Sequence, residues 1–231
     1  MEFDLENAQK AVGVIFLDPS LLETAFTHRS FLNENKHLHK PHNERMEFLG
    51  DAVLELVITD YLYIKYPKKN EGDLTLYRSS LVNTDSLALT AANLQINDYL
   101  MLSHGESKDT GRGRYSILAD AVEAIIGAIY TDQGYDAAKD FILKHIAPRI
   151  EEVIEKKAWI DAKSLFQEKA QEVYGDTPHY ETTGEEGPDH DKDFQVTLFV
   201  GEKKVAMATG KSKQEAAQEA AGKGLEVEGW R

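Results

Sequence analysis

The sequence predicts a chain in two parts: an all-α domain, then a small α+β domain with the order helix, three strands, helix. Three observations predict it. Up to about residue 155, apolar residues recur at helical spacing, as in Leu21, Leu22, Ala25 and Phe26. Composition shifts near Lys156–Lys163, which reads as a linker. Beyond it, Phe194-Gln195-Val196-Thr197-Leu198-Phe199-Val200 alternates strongly, the period of a half-buried strand. The expected division is 1–155 for the helical domain, 156–160 for the linker and 161–229 for the second domain.

In order, Leu5–Tyr66 reads as helices with short breaks. Asp18-Pro19-Ser20 is a turn able to cap a helix that begins near Leu21. His28 suits a core or capping role better than a metal ligand. Phe31–Pro41 reads as an exposed loop; its His37 and His39, with His42 beyond, lack a second cluster to complete a zinc site. A central helix is expected from Asn43 to Lys65, closed by Tyr66-Pro67. Helices at Asp73–Val82 and Thr84–Asn93 follow, with Arg78 suited equally to a phosphate or a surface salt bridge. Ser103–Tyr115 reads as a loop whose Lys108, Arg112 and Arg114 suit a phosphate backbone, although Gly-rich loops are usually connectors. A nearly all-apolar helix covers Ser116–Tyr130, and one last helix is expected at Tyr135–Lys157. The second domain reads as helix Ser164–Tyr174 with Leu165, Phe166, Ala170 and Val173 inward. Strands at Pro178–Thr183, Phe194–Val200 and Val205–Thr209 and a helix at Ser212–Leu225 complete it.

Five of the acids on two apolar helices fall into a pattern. In the central helix Asn43 suits the N-cap, its side chain accepting from the first free N–H groups, and Glu44 falls in the first turn. Glu44, Glu47 and Asp51 stand at i, i+3, i+7 and share one stripe. In the second helix Asp120 and Glu123 are the acids, at i, i+3 on one face. A capped helix with a solvated acidic face explains the first stretch alone. Two core helices with matching acidic faces fit instead a hard divalent cation with oxygen ligands.

These stretches carry a resemblance. Asn43–Asp51, NERMEFLGD, closely resembles the signature of the ribonuclease III family, and Leu118–Asp132 is similar to that family's second active-site helix. Leu21–Ser30 and Glu71–Val82 also resemble family segments. The order of the second part resembles a double-stranded RNA-binding domain. Gly187-Pro188-Asp189-His190 is similar to its groove loop, Gln167 and Gln171 fall where its first helix meets 2′-hydroxyls, and Gly210-Lys211-Ser212-Lys213 to its phosphate-binding helix start.

The resemblance implies a metal-dependent endoribonuclease for double-stranded RNA, leaving 5′-phosphate and 3′-hydroxyl ends with short 3′ overhangs and serving precursor-rRNA and other RNA processing. It implies Glu47, Asp51, Asp120 and Glu123 as metal ligands, with Asp51, Glu123 and Glu44 catalytic. Magnesium is the expected ion and manganese a substitute. It implies RNA contacts from Gln167, Gln171, His190, Lys211 and Lys213. Phe48 matches the residue that plugs into a partner subunit in a homodimer; the alternative is an ordinary core phenylalanine. A non-catalytic double-stranded RNA-binding protein of the same fold is the other reading, against which all five acids are present. A phosphohydrolase for small molecules is disfavoured by the second domain.

Composition limits the classes. With no cysteine, a disulfide framework and a thiolate metal site are both excluded. The acidic start, Met1-Glu2-Phe3-Asp4, lacks the basic and apolar regions of a signal peptide, and acids break the apolar stretches, so a cytoplasmic protein without membrane span is expected. No small-molecule organic cofactor is expected. The net charge of −14 sits awkwardly with a polyanionic substrate, and both halves share it: 17 Lys+Arg against 25 Asp+Glu through Trp159, and 9 against 15 from Ile160. The second domain also departs from the usual pattern. Gln214 stands where another basic residue often follows Lys213, and Glu185, Glu186, Asp189 and Asp191 surround the groove loop.

Overall fold

The computed structural model describes residues 3–155, 162–187 and 192–230. The expected linker at 156–160 and most of the groove loop, His190 included, lie outside them. The chain divides into two compact units, Met1–Trp159 and Ile160–Arg231.

Local chemistry sets the helices of the first unit. Helix α1 is Leu5–Val12, capped by Asp4, whose side chain accepts from the Asn7 N–H at 3.2 Å. Helix α2, Pro19–Ala25, starts with proline in its first turn behind the Asp18 cap. Helix α3, Arg29–Glu34, occupies part of the stretch expected to be loop; its cap is His28, whose Nδ1 accepts from the Ser30 N–H. Helices α4 (Glu44–Lys65), α5 (Glu71–Val82) and α6 (Thr84–Asn93) follow, with Asn70 capping α5 and Asn83 capping α6. Helix α7 is Arg112–Gln133. The single last helix expected after it is divided: α8, Tyr135–His145, a 3-10 turn at Ala147–Arg149, then α9, Ile150–Glu155. Pro148 lacks the N–H that a continuous helix needs there and clashes with the preceding turn.

Helices α4 and α7 form the centre. Val53, Leu54, Val57, Ile58 and Leu62 of α4 are buried in one core with Val122, Ile125, Ile126 and Ile129 of α7. Each such side chain contributes ~1.5–3 kcal/mol of burial. The apolar surface of α4 is not all buried, however: Phe48 is 81% exposed, and Leu56, Tyr63 and Ile64 are exposed too. Phe48 is therefore not a core residue of this chain.

The second unit has helix α10 (Ala162–Tyr174), strands β1 (Pro178–Glu186), β2 (Asp193–Val200) and β3 (Lys203–Gly210), and helix α11 (Lys213–Val227). The sheet is antiparallel in the order β1-β2-β3. Phe166 and Ala170 of α10, Leu198 of β2, and Ala220, Ala221 and Leu225 of α11 make its core. Val173, expected inward, is exposed. Gly224 brings α11 against the sheet, since a Cβ there would lie 2.6 Å from Leu198 Cδ2. Among the described residues no helix is long and apolar enough to cross a membrane.

Candidate active site

Two glycines build the site. A Cβ on Gly50 would lie 1.8 Å from the Glu123 carbonyl oxygen, and one on Gly127 would lie 2.1 Å from that of Met46. Helices α4 and α7 thus touch backbone to backbone, closer than any side chain permits. Residues one turn away on either helix are forced together. Ligand oxygens of Glu47, Asp120 and Glu123 all lie within 4.8 Å of one another. Asp51 falls outside that group, one turn further along α4 and exposed, yet its charge reaches both Glu47 and Glu123.

The electrostatics follow from this crowding. Burial, first, and then the neighbouring carboxylates push Glu123 up to about 8. Burial also raises Glu47, with Asp120, Glu44 and Asp51 adding to it, and raises Asp120, with Glu44 adding. Among the described residues no lysine, arginine or histidine lies within ion-pair distance of these three. Three half-buried carboxylates that repel one another, with hard oxygen donors only, fit a divalent cation.

Glu44 is held differently. Arg29 Nη1 donates to its Oε1 at 3.2 Å, and His42 Nδ1 lies 3.8 Å from its Oε2. The expected Asn43 side-chain cap is not made. Asn43 has helical dihedrals (φ −73°, ψ −19°) rather than the extended ones that aim a capping side chain at the free N–H groups. It is 1% exposed, and its backbone carbonyl accepts from Met46 and Glu47 at 2.8 and 2.9 Å.

The basic residues expected to meet phosphate are mostly engaged. Arg78 Nε pairs with Glu55 at 2.9 Å, the salt-bridge alternative. Arg114, within the first turn of α7, donates twice to Asn97 Oδ1, at 2.9 and 2.7 Å; Lys108 is exposed. In the second unit Gln167 and Gln171 are exposed on α10 and line one shallow groove. Lys211 Nζ lies 3.1 Å from Asp193 and Lys213 Nζ 3.2 Å from Glu185.

Sequence reasoning missed Gly50 and Gly127 as builders of the site. The signal was present: glycine inside a helix costs ~1 kcal/mol relative to alanine, so one amid an apolar helix needs a packing reason. It missed Arg29 as well, because nothing in the spacing relates Arg29 to Glu44.

Known proteins agree with this picture. The family described as Ribonuclease-III-like matches residues 18–150, and the double-stranded RNA binding motif matches residues 162–228. A protein named Ribonuclease 3 from Protochlamydia amoebophila is 47% identical over 216 residues, 93% of this chain and 88% of that protein. One of the same name from Streptococcus sanguinis is 43% identical over 97% of this chain and 98% of its own length. A solved nuclease domain of ribonuclease III from Campylobacter jejuni is 41% identical, with a TM-score of 0.57, over 63% of this chain and 97% of that one. A chain matched along both units, with a carboxylate cluster where its two central helices touch, belongs to the ribonuclease III family.

Proposed function

We propose that the protein is a homodimeric, magnesium-dependent endoribonuclease that hydrolyses phosphodiester bonds of double-stranded RNA. The observation that carries this reading is the convergence of Glu47, Asp120 and Glu123 oxygens within 4.8 Å, in a chain that also carries a double-stranded RNA binding motif. Glu47, Asp120 and Glu123 would hold the cation, with Asp51 joining directly or through water. Bound there, a divalent ion supplies a water of lowered pKa and charge to stabilise the departing 3′-oxygen. The chain's own residues position the rest. Glu44, fixed by Arg29, stands one turn before Glu47 and acts on substrate or on the site's structure. Burial and carboxylate crowding raise the proton affinity of Glu123, and a cation held there would oppose that rise. Cleavage of the bond to the 3′-oxygen leaves 5′-phosphate and 3′-hydroxyl ends, with short 3′ overhangs when both strands are cut.

Domain boundaries at 155 and 161 belong to the same reading, as do RNA contacts from Gln167, Gln171, His190, Lys211 and Lys213. The homodimer is supported by a stripe on α4. Phe48, Ala52 and Leu56 stand at i, i+4, i+8 and are all exposed, an unusual face for the central helix of a domain. The Campylobacter nuclease domain is described with a region involved in dimer formation. A two-fold axis through that stripe would present two acidic sites to the two strands of a duplex. A long RNA duplex incubated with the protein, with and without magnesium, tests the reading. Discrete short duplexes should form only with the ion; an intact duplex under both conditions, with the protein folded, would contradict it.

A further inference from the structure

In the second unit the two lysines expected to meet phosphate are paired with acids. Strand register brings the parts together: Glu185 pairs with Phe194, Glu186 with Asp193, and Phe194 with Gly210. The end of β1, the start of β2 and the end of β3 therefore lie side by side, where the chain enters α11. Ser212 caps that helix, accepting from the Glu215 N–H at 3.1 Å. The Glu215 carboxylate in turn accepts from the Lys211 N–H at 2.8 Å. Across this end, Asp193 meets Lys211 Nζ at 3.1 Å, and Glu185 meets Lys213 Nζ at 3.2 Å and Lys192 Nζ at 3.7 Å. Lys213 also stands over the Phe194 ring, 5.5 Å from its centre. All four paired acid and lysine side chains of the Lys211 and Lys213 bridges are well exposed, so a ligand can reach them.

We propose that Glu185 and Asp193 are built-in competitors for the RNA phosphates, holding Lys211 and Lys213 until a duplex displaces them, and so set this protein's RNA affinity. The proposal rests on the reading of the second domain as an RNA binder. A carboxylate and a phosphate oxygen are both acceptors for an ammonium group, and two anions drawn to one lysine repel each other, so the acid's hold on the lysine weakens the phosphate's. Exposed pairs are weak and screened, so the competition lowers affinity without preventing binding. An unpaired lysine couple beside a helix N-terminus would attract any polyanion; a paired one responds where several phosphates and 2′-hydroxyls arrive together. This gives the excess of acid in the domain a role.

The test measures binding by the full-length chain, in chelator, to a labelled duplex of about 20 base pairs, longer than the ~16 spanned by one such module. Fluorescence anisotropy is read at several salt concentrations. Glu185→Gln with Asp193→Asn should bind roughly three- to tenfold more tightly than wild type, with a steeper salt dependence. Glu202→Gln with Glu226→Gln removes the same charge at the β2–β3 turn and in the last turn of α11, and should change affinity much less. In a Lys211→Ala, Lys213→Ala background, the Glu185 and Asp193 changes should gain almost nothing. A gain no larger than that of the control pair, or one that survives loss of both lysines, would overturn the proposal. If the wild type and every variant fail to bind the duplex, the RNA-binding reading itself falls, a result distinct from binding that ignores the two acids.

Discussion

Two groups of acidic residues among the described ones stand under opposite conditions. Between α4 and α7, Glu47, Asp120 and Glu123 are half-buried, lie within 4.8 Å of one another and have no cationic partner among the described residues. At the sheet end of the second unit, Glu185 and Asp193 are exposed, and each faces a lysine. Burial and partner, rather than residue type, decide what a carboxylate does. The first set stores repulsion that a cation would relieve. The second is already paired with lysines. One short contact sustains the difference: backbone packing at Gly50 and Gly127 holds the first set together.

The largest effect on the fold should come from removing that contact. Gly50→Ala places a methyl 1.8 Å from a carbonyl oxygen that cannot yield. It should destabilise the first unit by about 3 kcal/mol, the upper end of ordinary overpacking, and abolish cleavage as the helices part. Denaturant unfolding and a duplex cleavage assay check both; a stable, active variant would mean that the glycines do not set the spacing.

Next comes pH. Glu47, Asp120 and Glu123 all bind protons more tightly in the folded chain than when unfolded. The stability they contribute is full below the ordinary carboxylate range and declines as pH rises, for Glu123 up to about 8. His28 and His145, lowered mainly by burial, act with the opposite sign near their ordinary value. Comparison with Glu123→Gln isolates the carboxylate part. Metal-free wild type should lose melting temperature between pH 5.5 and 8 relative to that variant, and a divalent cation should restore it. Parallel melting curves would show that Glu123 titrates as an ordinary surface acid.

A smaller effect on the fold is expected from Phe48→Ala. The side chain is exposed in the single chain, so its loss should leave unfolding of the isolated subunit nearly unchanged while weakening self-association in sedimentation. Unaltered association would remove Phe48 from the interface. The smallest belongs to the other acidic region: Glu185→Gln should change stability by no more than ~0.5 kcal/mol, the range of exposed ion pairs. A large loss there would erase the contrast between the two regions.

Much of the first region was legible in the sequence because helical periodicity is local. The spacing of Glu44, Glu47 and Asp51 gave one stripe, and Thr84–Asn93 matches α6 at both ends. Oxygens of Glu47, Asp120 and Glu123, acids on two core helices, lie within 4.8 Å of one another, and Asp51 lies outside that group. What was not legible is pairwise and distant. The approach of Gly50 to Glu123 depends on how two helices cross, and the lysine–acid pairs depend on the register of three strands. Asn43 shows a local rule overridden: a residue type suited to capping has helical dihedrals and is buried instead.

The central claim is that the carboxylates between α4 and α7 hold the cation used for hydrolysis. Its most direct measurement pairs manganese binding with single-turnover cleavage of one duplex by wild type and Glu123→Gln. Manganese affinity should fall, cleavage should drop by at least about 10²–10³-fold, and duplex affinity should hold or rise with one negative charge removed. A variant that binds manganese and cleaves at the wild-type rate would place the chemistry elsewhere in the molecule.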